Sequence, residues 1–106
     1  MRDTFVTIQR PEGTKLASGI HVQIDQRSDR DQAWLRDTYR YQTGIFWRIT
    51  TLDWNFNNLI RLDDFLIDEL FTDPDSGLSY VYKVVGPPKN YALDHQECTG
   101  WSTIGA

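Results

Sequence analysis

The sequence predicts a mainly β single domain, a small antiparallel β-barrel or sandwich with one short helix or long excursion loop. Three observations predict it. Ile20–Asp25 and Ile45–Thr50 alternate side-chain type residue by residue, the period of a strand with one buried and one wet face. Turn-forming clusters at Pro11-Glu12-Gly13, Thr72–Gly77 and Gly86-Pro87-Pro88 cut the chain into short segments. The 106 residues leave room for one hydrophobic core, so 1–106 reads as one domain with an excursion at about 27–43.

The elements follow in order. Phe5–Gln9 is rich in β-branched residues and stops at Pro11, a first strand closed by a turn. In the second, Ile20, Val22 and Ile24 alternate with His21, Gln23 and Asp25. Ser28 offers a capping hydroxyl and Asp29 and Asp31 offer early-turn carboxylates, which suits a short helix to about Thr38. Its apolar set is thin: Trp34 and Tyr41 form one stripe and Leu35 and Tyr39 lie beside it, so a loop ordered by partners is the competing reading. Ile45, Trp47 and Ile49 mark the buried face of a third strand, with Phe46, Arg48 and Thr50 opposite. Asp53–Asn58 carries turn chemistry. Leu59–Leu62 and Phe65–Ile67 read as two short strands hinged at Asp63-Asp64, against a single amphipathic helix over the same stretch. Tyr80–Val85 and Tyr91–Cys98 complete the set.

Composition narrows function. Aromatic residues make up 13%, too many for a disordered polar tract, because such rings offset ordering entropy by burial. A net charge of -4 argues against a surface built to grip nucleic-acid phosphates. No segment approaches the roughly 20 apolar residues of a membrane span, and Met1-Arg2-Asp3-Thr4 is not followed by a signal-peptide core, so a cytosolic product with no membrane partner is expected. The single cysteine, Cys98, excludes an internal disulfide.

Several constellations carry chemistry in principle. His95-x-x-Cys98 with Glu97 gathers three metal-ligating residue types, which His21 or a distant aspartate would complete. On a strand, however, His95 and Glu97 share one face while Cys98 takes the other. A Cys98 nucleophile lacks a basic cluster or helix N-terminus nearby. Asp63, Asp64, Asp68 and Glu69 are the densest acidic group and suit a divalent cation or an acid–base pair, yet acid runs are more often solvated faces. A small metal-dependent hydrolase using Asp63, Asp64, Asp68 and His95 is therefore the rival enzyme reading. A single-strand nucleic-acid barrel using the tryptophans is a further one. No catalytic, metal or cofactor site is assigned.

Aromatics are more informative. Trp47 shares a strand face with Ile45 and Ile49 and belongs to the core. Trp34, Trp54 and Trp101 fall in an excursion, a loop and a tail, among arginines, which is the composition of protein interfaces. Arg30, Trp34, Arg36, Tyr39, Trp54 and Phe56 are the candidate partner-interface residues.

The stretch Leu59–Cys98 resembles the head-completion, or head-tail connector, proteins of long-tailed bacteriophages. The likeness rests on Ile60-Arg61-Leu62-Asp63-Asp64-Phe65-Leu66-Ile67, on Tyr82-Lys83-Val84-Val85-Gly86-Pro87-Pro88 and on Tyr91–Cys98. His21-Val22-Gln23-Ile24 and Ile45-Phe46-Trp47-Arg48-Ile49 extend it over most of the chain. The glycine usual before the aspartate of that turn is Leu62 here, which puts the turn geometry in question. The resemblance implies a non-enzymatic subunit of a homo-oligomeric ring in the phage neck. Portal or adaptor proteins would lie on the head side and tail-terminator or tail-tube proteins on the tail side. Genomic DNA would pass through the bore without sequence-specific binding. It implies a virion protein, present in host cytoplasm during assembly, with a tail-terminator ring as the structural alternative.

Overall fold

The computed structural model describes residues 2–52, 60–91 and 95–103. Seven strands and one helix run in the order β1 (Arg2–Gln9), β2 (Lys15–Gln26), α1 (Asp29–Tyr39), β3 (Ile45–Thr51), β4 (Phe65–Thr72), β5 (Ser79–Val84), β6 (Lys89–Tyr91) and β7 (His95–Ser102). Hydrogen-bonded neighbours follow the sequence β3-β2-β1-β4-β5-β7, and pairing of β3 with β7 closes a six-stranded antiparallel barrel. Short β6 adds to the free half of β7. Of the two architectures the sequence allowed, the barrel is the one formed.

Alternation decides what fills it. Val6 and Ile8 of β1, Val22 and Ile24 of β2, Trp47 and Ile49 of β3, Leu66 of β4, Tyr82 and Val84 of β5 and Cys98 of β7 all point inward and are buried. Each apolar side chain withdrawn in this way contributes about 1.5–3 kcal/mol. The wet-face assignment of Phe46 fails. Its side chain leaves the barrel but is fully buried, because Tyr39 and Tyr41 pack against it from the excursion at ring centroid distances of 6.3 and 6.0 Å.

That excursion is an ordered helix. The Ser28 hydroxyl accepts from the Asp31 amide at 3.2 Å, and Arg40 closes the other end in the left-handed region at φ 61°. Gln32 fixes the helix to the barrel. Its side-chain amide donates to the Phe46 carbonyl at 2.7 Å and accepts from the Phe46 amide at 2.8 Å, replacing a strand partner. Beyond the helix, Gly44 adopts φ 91°, and a Cβ there would meet the Ser102 carbonyl at 2.6 Å, so the return into β3 requires glycine.

Two segments differ from the sequence reading. Within Leu59–Leu62, residues 60–62 form no strand. Ile60 exchanges both backbone bonds with the side chain of Gln96, at 2.9 and 2.7 Å, and Asp63 turns the chain at φ 70°. Phe65–Ile67 is strand, as read, and extends to Thr72; the amphipathic-helix alternative is excluded over the described part. The Tyr91–Cys98 strand is two strands, β6 and β7, paired antiparallel with Tyr91 opposite His95.

Candidate functional site

The acidic group is neither a solvated face nor one cluster. Asp64 and Asp68 are fully buried, while Asp63 and Glu69 are exposed. Asp68 lies opposite Val6 in the register of β1 and β4, which points its side chain into the barrel. One oxygen accepts from the Thr4 hydroxyl at 2.6 Å and from the amides of Leu70 and Phe71 at 3.0 Å each. The other accepts from the Tyr82 hydroxyl at 2.9 Å and faces the Arg2 guanidinium at 3.5 Å. Arg2 also donates to Tyr82 and lies over the rings of Phe71, Trp47 and Tyr80 at 4.3, 5.4 and 5.4 Å. Burial, then the negative charge of Asp68, pushes the Tyr82 phenol well above its ordinary value.

Asp64 serves a separate structure. It accepts from the Arg10 guanidinium and from the Arg61 amide at 2.8 Å, holding the turn into β4. Four residues of extended chain separate it from Asp68, roughly 13 Å, too far to share an ion. Glu69 accepts from the amide of Gly19 at 2.7 Å and from Thr7 at 3.2 Å, tying β4 across β1 to β2. His95 stacks on Tyr91 at 4.5 Å. Among the described residues no three His, Cys, Asp or Glu side chains are grouped to hold a metal ion. Cys98 is buried, and burial, reinforced by Glu97 and Asp64, pushes its thiol up to about 12, where a thiolate nucleophile does not form near neutrality.

A groove opens on the outer surface instead. It lies between α1 and the outer side of β7, with Gly86, Pro87 and Lys89 along one wall and Trp34, Leu35 and Tyr39 along the other, enclosing about 320 Å³. Helical spacing creates it. Leu35 turns inward and is buried, whereas Trp34, one position earlier, keeps 63% of its surface in solvent. At the narrow end Gly86 lets the Tyr39 ring lie close, since a Cβ there would sit 2.6 Å from the Tyr39 hydroxyl and push that side chain aside. Arg27 and Lys89 line the groove together with one acid, Glu97, and Arg30 is exposed one helical turn before Trp34.

A second outward feature is the β4–β5 hairpin. Its end carries Leu70 and Leu78, exposed at 60% and 66%, with Phe71 partly exposed beside them. The turn is rigid. Asp73 donates its amide to the Leu78 carbonyl and accepts from the Gly77 amide, both at 2.8 Å, while its carboxylate takes the Ser76 hydroxyl at 2.8 Å. That last bond is the chief reason the Asp73 carboxyl titrates below its ordinary value.

The candidate interface residues thus separate. Trp34 and Tyr39 line the groove, with Arg30 near it. Arg36 donates to the Gly44 carbonyl at 3.0 Å and anchors the loop after α1. Trp54 and Phe56 lie outside the described residues. Trp101 is not in a tail: it sits in β7 opposite Phe46, stacks on Tyr41 at 4.2 Å and donates its indole N–H to the Thr43 carbonyl at 2.8 Å. Sequence reasoning missed Arg2, Thr4, Gln32, Gln96 and the hairpin leucines. For Arg2 and Thr4 the signal was present, because they share the parity of Val6 and Ile8. Comparison of the chain with known protein families, with curated proteins and with solved structures finds no match.

Proposed function

We propose that this protein is a structural subunit of a homo-oligomeric ring in the neck of a long-tailed phage, closing the DNA-filled head and joining it to the tail. The observation that carries the proposal is the presentation of large apolar side chains, Trp34, Leu70 and Leu78, outward from a capped helix and a hydrogen-bonded hairpin. Side chains of this kind, held in place before binding, favour association because little freedom is lost on contact. The resemblance over Leu59–Cys98 supplies the setting. The net charge of -4 suits a ring through which DNA slides, since each phosphate neutralised would add affinity and friction. In this reading the passage lies between copies, because the inside of each barrel is filled by side chains such as Tyr82, Ile49 and Val22.

The test is sedimentation velocity and electron microscopy of the purified protein, alone and with portal and adaptor proteins encoded beside it. Closed rings, or incorporation into a portal complex, are expected. A strictly monomeric protein that joins no such complex, encoded among metabolic genes, would overturn the proposal.

A further inference from the structure

Two strand registers meet in the β4–β5 hairpin. Near the barrel the strands pair regularly, with Phe65 opposite Lys83, Leu66 opposite Tyr82 and Ile67 opposite Val81. The next pair is Thr72 with Ser79, so residues 68–71 of β4 stand where β5 has only Tyr80, and β4 bulges. Carried on unbroken, the first register would set Asp68 opposite Tyr80 and Leu70 opposite Leu78. Both leucines share the parity of buried residues, Leu66 and Asp68 on one strand and Tyr80 and Tyr82 on the other. The alternation therefore encodes the unbroken pairing, yet the observed one leaves Leu70 and Leu78 exposed at 60% and 66%. We propose that the hairpin is a two-register switch: the bulged register displays Leu70 and Leu78 outward, and the unbroken register pairs them with each other on the face that carries Tyr80.

Local bonds explain why the bulged register is the one seen. The Asp68 carboxylate accepts from the amides of Leu70 and Phe71, both inside the bulge. The Phe71 ring covers the Arg2 guanidinium, and Glu69 takes the Gly19 amide. At the tip, the bond from the Asp73 amide to the Leu78 carbonyl continues the register of Thr72 and Ser79, and the Asp73 carboxylate holds Ser76. Against these polar bonds stand the ladder bonds and the cross-strand leucine pair of the unbroken register. The two registers differ by three residues, an odd number, so the change turns side chains over instead of sliding them along one face. A partner that covers the leucines binds the bulged register and shifts the hairpin toward it.

The switch belongs to the hairpin alone and stands whether or not copies form a ring. Relaxation-dispersion NMR of the full chain with labelled leucine methyl groups reads exchange in the microsecond-to-millisecond range. Leu70 and Leu78 are expected to exchange at one common rate with a minor state populated at about 1–10%. The double variant Phe71→Ala with Asp73→Ala removes the Arg2 contact and the Ser76 bond, and neither residue belongs to the core. It should raise the minor population several-fold, and backbone NOEs from Ser79 to Glu69 should appear beside those to Thr72. Exchange absent from both proteins would overturn the switch. So would exchange confined to residues 69–71 while Leu78 and Ser79 stay still, since the bulge would then open without changing register.

Discussion

Replacing Asp68 by asparagine probes whether the buried carboxylate holds the barrel together or serves chemistry. Asparagine keeps the shape and one oxygen, so the bonds from Thr4 at 2.6 Å and from the amides of Leu70 and Phe71 at 3.0 Å survive. The second oxygen becomes an NH2 group facing Tyr82 and Arg2, two groups that now donate to it. Hydrogen bonds to a charged partner contribute about 1.5–3 kcal/mol each, and the Tyr82 hydroxyl can rotate to accept, so Asp68→Asn should cost about 2–3 kcal/mol. Asp68→Ala takes away the acceptor that five donors share, leaving Arg2 only its bond to Tyr82, and should cost about 4–5 kcal/mol, near the range for breaking a buried ion pair. Against a typical total of about 5–15 kcal/mol, the asparagine variant still folds and its loss is measurable. Urea unfolding followed by far-UV circular dichroism gives the difference directly. An asparagine variant within about 0.5 kcal/mol of the parent would refute the structural role. One that folds normally but abolishes a reproducible hydrolytic turnover would make Asp68 a catalytic group.

Three further outcomes are expected. Trp47→Ala should destabilise the fold by about 3–5 kcal/mol, whereas Trp34→Ala should leave thermal unfolding of the isolated subunit almost unchanged while weakening assembly; equal losses would place Trp34 in the core. Tyr82 titrates above its ordinary value of 10.0 when folded, so the unfolded chain loses that proton first. Its contribution to stability is then complete below about pH 10 and declines as pH rises further, and Tyr82→Phe should flatten that alkaline decline in a pH series of urea midpoints. Cys98, buried with its thiol pushed up to about 12, should resist a thiol-labelling reagent in native buffer and react at once in denaturant.

What the sequence made legible follows the range of the forces involved. Ile20–Asp25 is readable because alternation is local and its outer side is wetter, and Ile45–Thr50 keeps the same alternation from Trp47 onward. The Leu59–Leu62 reading failed over residues 60–62 because local composition suits a strand, yet the backbone of Ile60 finds its partner in a side chain 36 residues away. Phe46 and Trp101 misled for the same reason: each is covered by an aromatic ring from the excursion, and no period reports that cover. The burial of Asp68 becomes visible only once Val6 is known to lie opposite it. Trp34, by contrast, was readable as a candidate contact because a lone indole next to an inward leucine on a short helix must face away from the barrel.

Gln32 has a consequence for how such a surface changes over evolutionary time. Greasy helix–sheet contacts tolerate sliding, since one methyl group substitutes for another. An amide that matches both backbone groups of a single residue, as this one matches Phe46, acts as a dowel: rotating α1 by one residue, about 100°, or shifting it along its axis would break both bonds and strand the Phe46 amide, while its carbonyl keeps the Arg27 amide. The azimuth at which Trp34 is displayed is therefore set by a buried residue on the opposite side of the helix. Residues on the outer side of α1 can change without moving that anchor. Gln32→Glu, isosteric but facing the Phe46 carbonyl with an acceptor in place of a donor, would unseat the helix and blur the whole display.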